Sequence, residues 1–173
     1  MFPLRIAFGS HARAGKSEAT KYLVSQYGGK ELSMGKAIYD ILSYSQNRCG
    51  FSLEKDRKFL QMVGDWGRNK DPDVWINIVN KEVDLLPTEN LYISDLRYLN
   101  EAKMLKNRGF YLVNIIRGSY INDNFGSGSR EHSSETSLEK YKDWDYLIYN
   151  SKSLVEFYQQ LDNIVAKISQ IAN

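Results

Sequence analysis

Residues 4–8 form a short apolar run of β-formers. It leads into Gly9-Ser10-His11-Ala12-Arg13-Ala14-Gly15-Lys16-Ser17, and a helical pattern then runs on to Gly28-Gly29. The order is strand, glycine-bearing loop, helix. A second short strand is predicted near Lys30–Leu32, and Ser33 or Met34 introduces a helix carrying Ala37, Ile38, Ile41 and Leu42. Ser52 is placed to cap a helix holding Phe59, Leu60, Met62, Val63 and Trp66. Asp71-Pro72 offers a capping acid and an N1 proline ahead of Trp75, Ile78, Val79 and Val83. After the Pro87-Thr88-Glu89-Asn90 turn, residues 91–94 read as a buried strand ending at Asp95. A helix around 100–107 follows, with a stop at Gly109, and then a strand at Tyr111–Ile116. Residues 118–130 contain Gly126-Ser127-Gly128-Ser129 and show no period, which predicts a mobile loop. A short helix near 134–141 and a strand at Tyr146–Tyr149 come next. The last helix opens on a capping box from Ser153 to Glu156 and carries Leu154, Phe157, Leu161, Ile164, Val165 and Ile168 on one face, a core stripe. Five strands alternating with helices imply an α/β protein whose parallel sheet is covered on both sides. No repeat, low-complexity tract or linker interrupts the pattern, so residues 1–173 are expected to form one domain.

Composition narrows the function without naming it. The chain has 173 residues and 42% hydrophobic content, enough for one sizeable core. Its 23 basic and 21 acidic residues leave a net charge of +2, with no long run of one sign, which argues against a nucleic-acid or membrane partner. Cys49 is the sole cysteine and the two histidines are far apart. No internal disulfide or His/Cys metal cluster is expected, and a reducing compartment is. The start, Met1-Phe2-Pro3-Leu4-Arg5-Ile6, lacks the basic and long apolar regions of a signal peptide, and no run approaches membrane-spanning length, which together predict a cytoplasmic protein.

Chemistry concentrates in the first loop. A glycine-bearing turn between a strand and a helix aims several backbone N–H groups and the positive end of the helix dipole at one point, where phosphate binds. A lysine at Lys16 is placed for the β- and γ-phosphates, and the Ser17 hydroxyl for a magnesium ion bridging them. The spacing Gly-x-x-x-x-Gly-Lys-Ser puts its first glycine at position 10, where this chain has Ser10, with Gly9 one residue early. Whether Gly9 or Ser10 makes the turn stays open in the sequence. The bland alternative is a chance Gly-Lys-Ser opening a surface helix. Arg13 adds a cation inside the loop, and His11 reads as a bystander.

Asp95 lies at the carboxyl end of a predicted buried strand, the edge where open α/β sheets bind ligands. It could hold magnesium, orient an acceptor, or simply cap the next helix. Arg97, Arg117 and Arg130 follow strand ends or sit in the predicted loop. Phosphoryl transfer needs such cations to neutralise developing charge, although each could equally be a surface residue. Asn69-Lys70-Asp71-Pro72-Asp73 is one residue out of step with the Asn-Lys-x-Asp guanine-reading motif and follows a helix, so it is read as a helix start.

Several blocks together resemble the deoxynucleoside monophosphate kinases of bacteriophages, within the wider P-loop nucleoside monophosphate kinase group. They are His11 to Lys16, Gly64-Asp65-Trp66-Gly67-Arg68 with Asp73-Val74-Trp75, and Ser94-Asp95-Leu96-Arg97-Tyr98-Leu99-Asn100-Glu101-Ala102. The likeness continues through Gly109 to Arg117, His132-Ser133-Ser134-Glu135 and Asp145 to Asn150. It covers nearly the whole chain, and the block from Asp95 to Ala102 is its most specific part. It implies a three-layer P-loop fold like adenylate kinase, with a lid over about residues 118–135, and transfer of the γ-phosphate of Mg-ATP to a deoxynucleoside 5′-monophosphate. By resemblance Arg13, Ala14, Gly15, Lys16 and Ser17 would serve ATP, and Ser17 and Asp95 the magnesium. Asp95, Arg97, Arg68, Trp75, Lys36 and Glu135 would serve the acceptor, with Arg117 and Arg130 in the lid. The resemblance also implies small-molecule nucleotides as partners, and a homodimer. Core packing at helical spacing is the alternative for Trp66 and Trp75. The stretch Ser33-Met34-Gly35-Lys36 departs from the Phe-Ala-Asp-Pro-Leu-Lys pattern of the family, which keeps open a P-loop kinase for another phosphorylated small molecule or coenzyme precursor. Ser10 likewise keeps open a non-catalytic nucleotide-binding module.

Overall fold

The architecture was read from a computed structural model that describes residues 3–117, 137–138 and 140–171. Alternating apolar positions build five strands: β1 (Arg5–Gly9), β2 (Lys30–Leu32), β3 (Leu91–Leu96), β4 (Tyr111–Ile116) and β5 (Tyr146–Tyr149). They form one sheet in the order β2-β3-β1-β4-β5. β1 pairs in parallel with β3 and β4, and β4 with β5. Among the described residues there are six helices: α1 (Lys16–Tyr27), α2 (Lys36–Cys49), α3 (Arg57–Lys70), α4 (Val74–Asp84), α5 (Leu99–Asn107) and α6 (Leu154–Ile171). The chain divides into two compact units, one of residues 1–31 with 87–173 and one of residues 32–86.

In the first unit the two faces of the sheet bury alternate residues, as the pleat requires. Leu4 just before β1, Ile6 and Phe8 of β1, Tyr92 of β3, Val113 and Ile115 of β4 and Ile148 of β5 form one core with Ala19 and Leu23 of α1 and Phe157, Leu161, Ile164, Val165 and Ile168 of α6. The opposite parity, Ala7, Leu91, Ile93 and Leu112, is fully buried on the other face, where α5 packs against β4. Helices thus cover both faces of a parallel sheet, the three-layer α/β arrangement expected from the sequence. Because β1 lies between β3 and β4, the chain turns to opposite sides of β1, and the loop after β1 sits at the crevice that results.

The second unit holds α2, α3 and α4. Its small core joins Ile38, Val63 and Trp75, with Ala37, Phe59, Leu60 and Val74 packed around them.

Four local expectations are corrected. Ser52 does not cap α3; Asp56 does, accepting a hydrogen bond from Phe59 N at 3.0 Å, while residues 51–56 carry no helix. Asp71-Pro72 does not open α4. Asp71 ends α3, its carboxylate accepts from Asp73 N at 2.9 Å, and the helix starts two residues later than expected, at Val74 behind Asp73. The capping box of α6 forms as expected, with Ser153 N donating to Glu156 Oε2 at 3.2 Å and Glu156 N to Ser153 Oγ at 3.3 Å, but Leu154 lies outside the core stripe and is exposed. Trp66 is 61% exposed and so is not a core residue, whereas Trp75 is 6% exposed and is one. Of the helix expected near 134–141, residues 137, 138 and 140 are turn and the rest up to 136, with 139, lie outside the described residues. The expected lid over 118–135, with Arg130 and Glu135, also lies outside them.

Candidate active site

The loop between β1 and α1 is held in a shape set by two glycines and one hydroxyl. Gly9 is the last residue of β1, and a β-carbon there would lie 2.2 Å from Trp144 Cη2, so the indole packs directly on the backbone. Ser10, at the position of the missing glycine, donates its hydroxyl to the Ile115 carbonyl and thereby ties the loop to the end of β4. The turn therefore uses both residues: Gly9 gives way to Trp144, and Ser10 anchors. At the far end Gly15 adopts φ +117°, a region closed to side chains, and caps α1. Arg13 is the one described non-glycine residue at positive φ, at 62°, which costs about 1–2 kcal/mol and places this strain in the loop itself.

Side chains close the loop from both sides. Lys16 Nζ donates to the carbonyls of Ser10 at 2.8 Å and His11 at 2.7 Å, folding the ammonium back across the loop. Arg117, just past β4, donates Nη1 to the Arg13 carbonyl at 3.0 Å. Asn150, just past β5, donates Nδ2 to the Ala14 carbonyl at 2.8 Å. Ala14 is buried and Ser17 exposed at the first turn of α1. The result is a strand-to-helix turn with a cation over it and a helix dipole behind it, the arrangement that binds phosphate.

Asp95 enters from the neighbouring strand. β1 and β3 pair in register from Arg5–Leu91 to Ala7–Ile93 and then slip, so that Gly9 lies opposite Leu96. Phe8 consequently faces both Ser94 and Asp95, which fall in a bulge beside the start of the loop. The N-cap position of α5 is Tyr98, not Asp95. Glu101, three residues on, braces that start: its buried carboxylate accepts from the backbone N–H groups of Arg97 at 2.8 Å and Tyr98 at 3.0 Å. Arg97 is thus set at the turn between β3 and α5.

Lys16, Ser17, Arg13, Arg117, Asp95 and Arg97 all belong to the first unit, and Lys36, Arg68 and Trp75 to the second. In that second unit Lys36 pairs with Asp40 at 2.8 Å on the exposed face of α2, and the neighbouring carboxylate raises its pKa through a hydrogen bond. Arg68 pairs with Asp65 at 3.0 Å. Trp75 donates its indole N–H to the Gly64 carbonyl at 3.0 Å, which accounts for its burial.

Sequence reasoning gave no role to Asn150, Trp144 or Glu31. Glu31 Oε1 accepts from Ser94 Oγ at 2.6 Å and Thr20 Oγ1 at 3.3 Å, linking α1 to the bulge that holds Asp95. Asn150 carried two advance signals, its place just past a predicted strand on the ligand-binding edge and its inclusion in the block Asp145 to Asn150, whereas Glu31, inside the short β2, carried none. For Trp144 there was none, because its contact with Gly9 spans most of the chain.

Magnesium can be tested against these donors. Among the described residues no group of three or more His, Cys, Asp or Glu is arranged to hold a metal ion. One hydroxyl at Ser17 and one carboxylate at Asp95 instead suit an ion that keeps its waters and takes its remaining ligands from phosphate. No described helix is long and apolar enough to cross a membrane.

Comparison with known proteins agrees with this geometry. No family model matches the chain. It is 30% identical over 152 residues to "Uncharacterized protein ORF77" of Ictalurid herpesvirus 1 (strain Auburn), a match covering 84% of this chain and 64% of that protein, so the chain spans just under two thirds of this relative. It is also 30% identical over 187 residues to the "Putative deoxynucleotide monophosphate kinase" of Acanthamoeba polyphaga mimivirus, covering 91% of this chain and 94% of that one. Among solved structures, a "putative kinase" from Chloroflexus aurantiacus superposes over 98% of this chain and 97% of its own with a TM-score of 0.55 and 13% identity, a likeness of fold. With the phosphate loop, the β2-β3-β1-β4-β5 sheet and a relative matched over almost its full length, the chain belongs to the deoxynucleotide monophosphate kinase family of the P-loop group.

Proposed function

We propose that this kinase transfers the γ-phosphate of Mg-ATP to a deoxynucleoside 5′-monophosphate, giving ADP and the diphosphate. The observation that carries the reading is the braced loop at the N-terminus of α1, with Lys16 folded across it and Asp95 beside it. The acceptor class rests on the name of the mimivirus relative.

The backbone N–H groups of residues 13–17 would cradle the β- and γ-phosphates, with the Lys16 ammonium between them. Ser17 and Asp95 would hold the magnesium ion, which supplies charge neutralisation on the phosphate oxygens when bound. An oxygen of the acceptor phosphate is already anionic at neutral pH, so it attacks the γ-phosphorus in line without a dedicated base. The bond to the β–γ bridging oxygen breaks, and ADP leaves with the electron pair. Arg13 and Arg117, with Arg130, are assigned to the charge that spreads over the transferring group. Arg97, Arg68, Lys36, Trp75 and Glu135 are assigned to the acceptor. The buried indole of Trp75 contributes by shaping the second unit's core.

A coupled assay of ADP release across the deoxynucleoside and ribonucleoside monophosphates tests the reading. Release that depends on a deoxynucleoside monophosphate is expected. Tight ATP binding with no acceptor-dependent release from a folded chain would contradict it.

A further inference from the structure

The phosphate loop is braced through its carbonyl oxygens. In a trans peptide the C=O of one residue and the N–H of the next point in opposite directions, so holding the carbonyl aims the amide. Asn150 Nδ2 holds the Ala14 carbonyl at 2.8 Å, which turns the Gly15 N–H away from Asn150. Asn150 is itself fixed, because its backbone N–H donates to the Ile116 carbonyl at 2.8 Å. Its approach is close enough that a β-carbon at Gly15 would lie 2.7 Å from Nδ2, so Gly15 answers both the left-handed backbone and the amide packed on it. Only a hydrogen-bond donor can meet a carbonyl oxygen here, so a carboxylate or an apolar side chain cannot replace the Asn150 amide.

We propose that Asn150 is a positioning residue for the nucleotide phosphates: it orients the Ala14–Gly15 peptide so that the Gly15 amide is preset to donate to a phosphate oxygen. This rests on the nucleotide-binding reading above. It also assigns a function to the β5–α6 connection, which is tied at the same time to β4 and to the loop.

The test compares Asn150→Leu, which removes the donor while keeping the same branching at Cγ and adding no charge, with Asn150→His, which keeps an N–H at a similar distance from the backbone. Binding of the Mg complex of a non-hydrolysable ATP analogue is measured by calorimetry, alongside thermal melting and the two Michaelis constants. Asn150→Leu is expected to weaken analogue binding about tenfold, the scale of one lost hydrogen bond to a charged group. Its KM for ATP should rise in parallel, with the KM for the acceptor and the melting temperature unchanged, and Asn150→His should recover most of the loss. Wild-type affinity in Asn150→Leu would overturn the proposal. So would a loss of affinity matched by a loss of melting temperature or shared by both substrates, since Asn150 would then be only a structural tie. Failure of the wild-type chain to bind the analogue would instead overturn the nucleotide-binding reading, and this proposal with it.

Discussion

Gly9 and Ser10 divide between them what a single glycine does in the usual phosphate loop. A β-carbon at Gly9 meets Trp144 Cη2 at 2.2 Å, and the indole is held in place by its own N–H, which donates to the Tyr141 carbonyl at 3.0 Å. Gly9→Ala is therefore expected to destabilise the fold by about 1–3 kcal/mol through overpacking, measured by urea denaturation. A smaller residue at 144 in the same chain should recover part of that loss; full wild-type stability in Gly9→Ala alone would place the indole elsewhere. The sequence presented only an imperfect spacing at this point. The residues that resolve it, Trp144 and Ile115, lie more than a hundred positions away, and no local pattern links them to the loop. Lys16 and Ser17 stood out as candidates because their chemistry and the predicted strand-loop-helix share one short segment.

At the scale of elements, α1 and α6 are joined by a polar network over their apolar contact. Tyr22 stacks on Tyr158 with ring centroids 4.0 Å apart and planes within 7°. The Tyr22 and Tyr27 hydroxyls donate to Asp162 at 2.9 Å and 2.8 Å, and Tyr158 donates to Glu18 at 2.5 Å. Burial, followed by the hydrogen bond to Asp162 and its charge, raises the pKa of Tyr22 and pushes that of Tyr27 up to about 12. Burial alone pushes Tyr92 up to about 12. The fold thus favours the protonated phenols. Their contribution is intact below the unfolded value of about 10 and is lost as pH rises from there through about 12. Melting temperature is expected to fall over that window, and less steeply in Asp162→Asn, where burial remains but the carboxylate charge is gone. An identical slope in the two proteins would remove Asp162 from the explanation. The helix starts teach a related lesson about legibility. Ser52 and Asp71-Pro72 were plausible caps by composition, yet Asp56 and Asp73 lead the helices, because a cap is decided by where the apolar face of Phe59, Val63 and Trp75 can reach its core.

For the whole molecule, the strand boundaries at Tyr111–Ile116 and Tyr146–Tyr149 were readable from the sequence because they are short runs rich in apolar β-formers between turn signals, whereas Lys30–Leu32, in which Leu32 alone is buried, was placed by the Gly28-Gly29 break before it. Strand order was not readable, since it depends on which crossovers pack. The order β2-β3-β1-β4-β5 is what brings Ser10, Arg117 and Asn150 onto one flank of the loop and Asp95 onto the other. Arginine roles were the least legible, because an arginine after a strand can face phosphate, solvent or a carbonyl. Arg117 is seen bracing the Arg13 carbonyl, a role that sequence reasoning did not foresee. Lys16→Ala is expected to lower phosphoryl transfer about 10²–10³-fold, as loss of one preorganised charge contact at a reacting group does, with the fold intact by circular dichroism.

The most direct measurement follows the label from γ-32P ATP with a deoxynucleoside monophosphate as acceptor, in the wild-type chain and in Lys16→Ala, with products separated by chromatography. Label is expected in the deoxynucleoside diphosphate for the wild type and nearly none for Lys16→Ala. Label only in inorganic phosphate, or equal transfer by both proteins, would contradict a kinase that works through this loop.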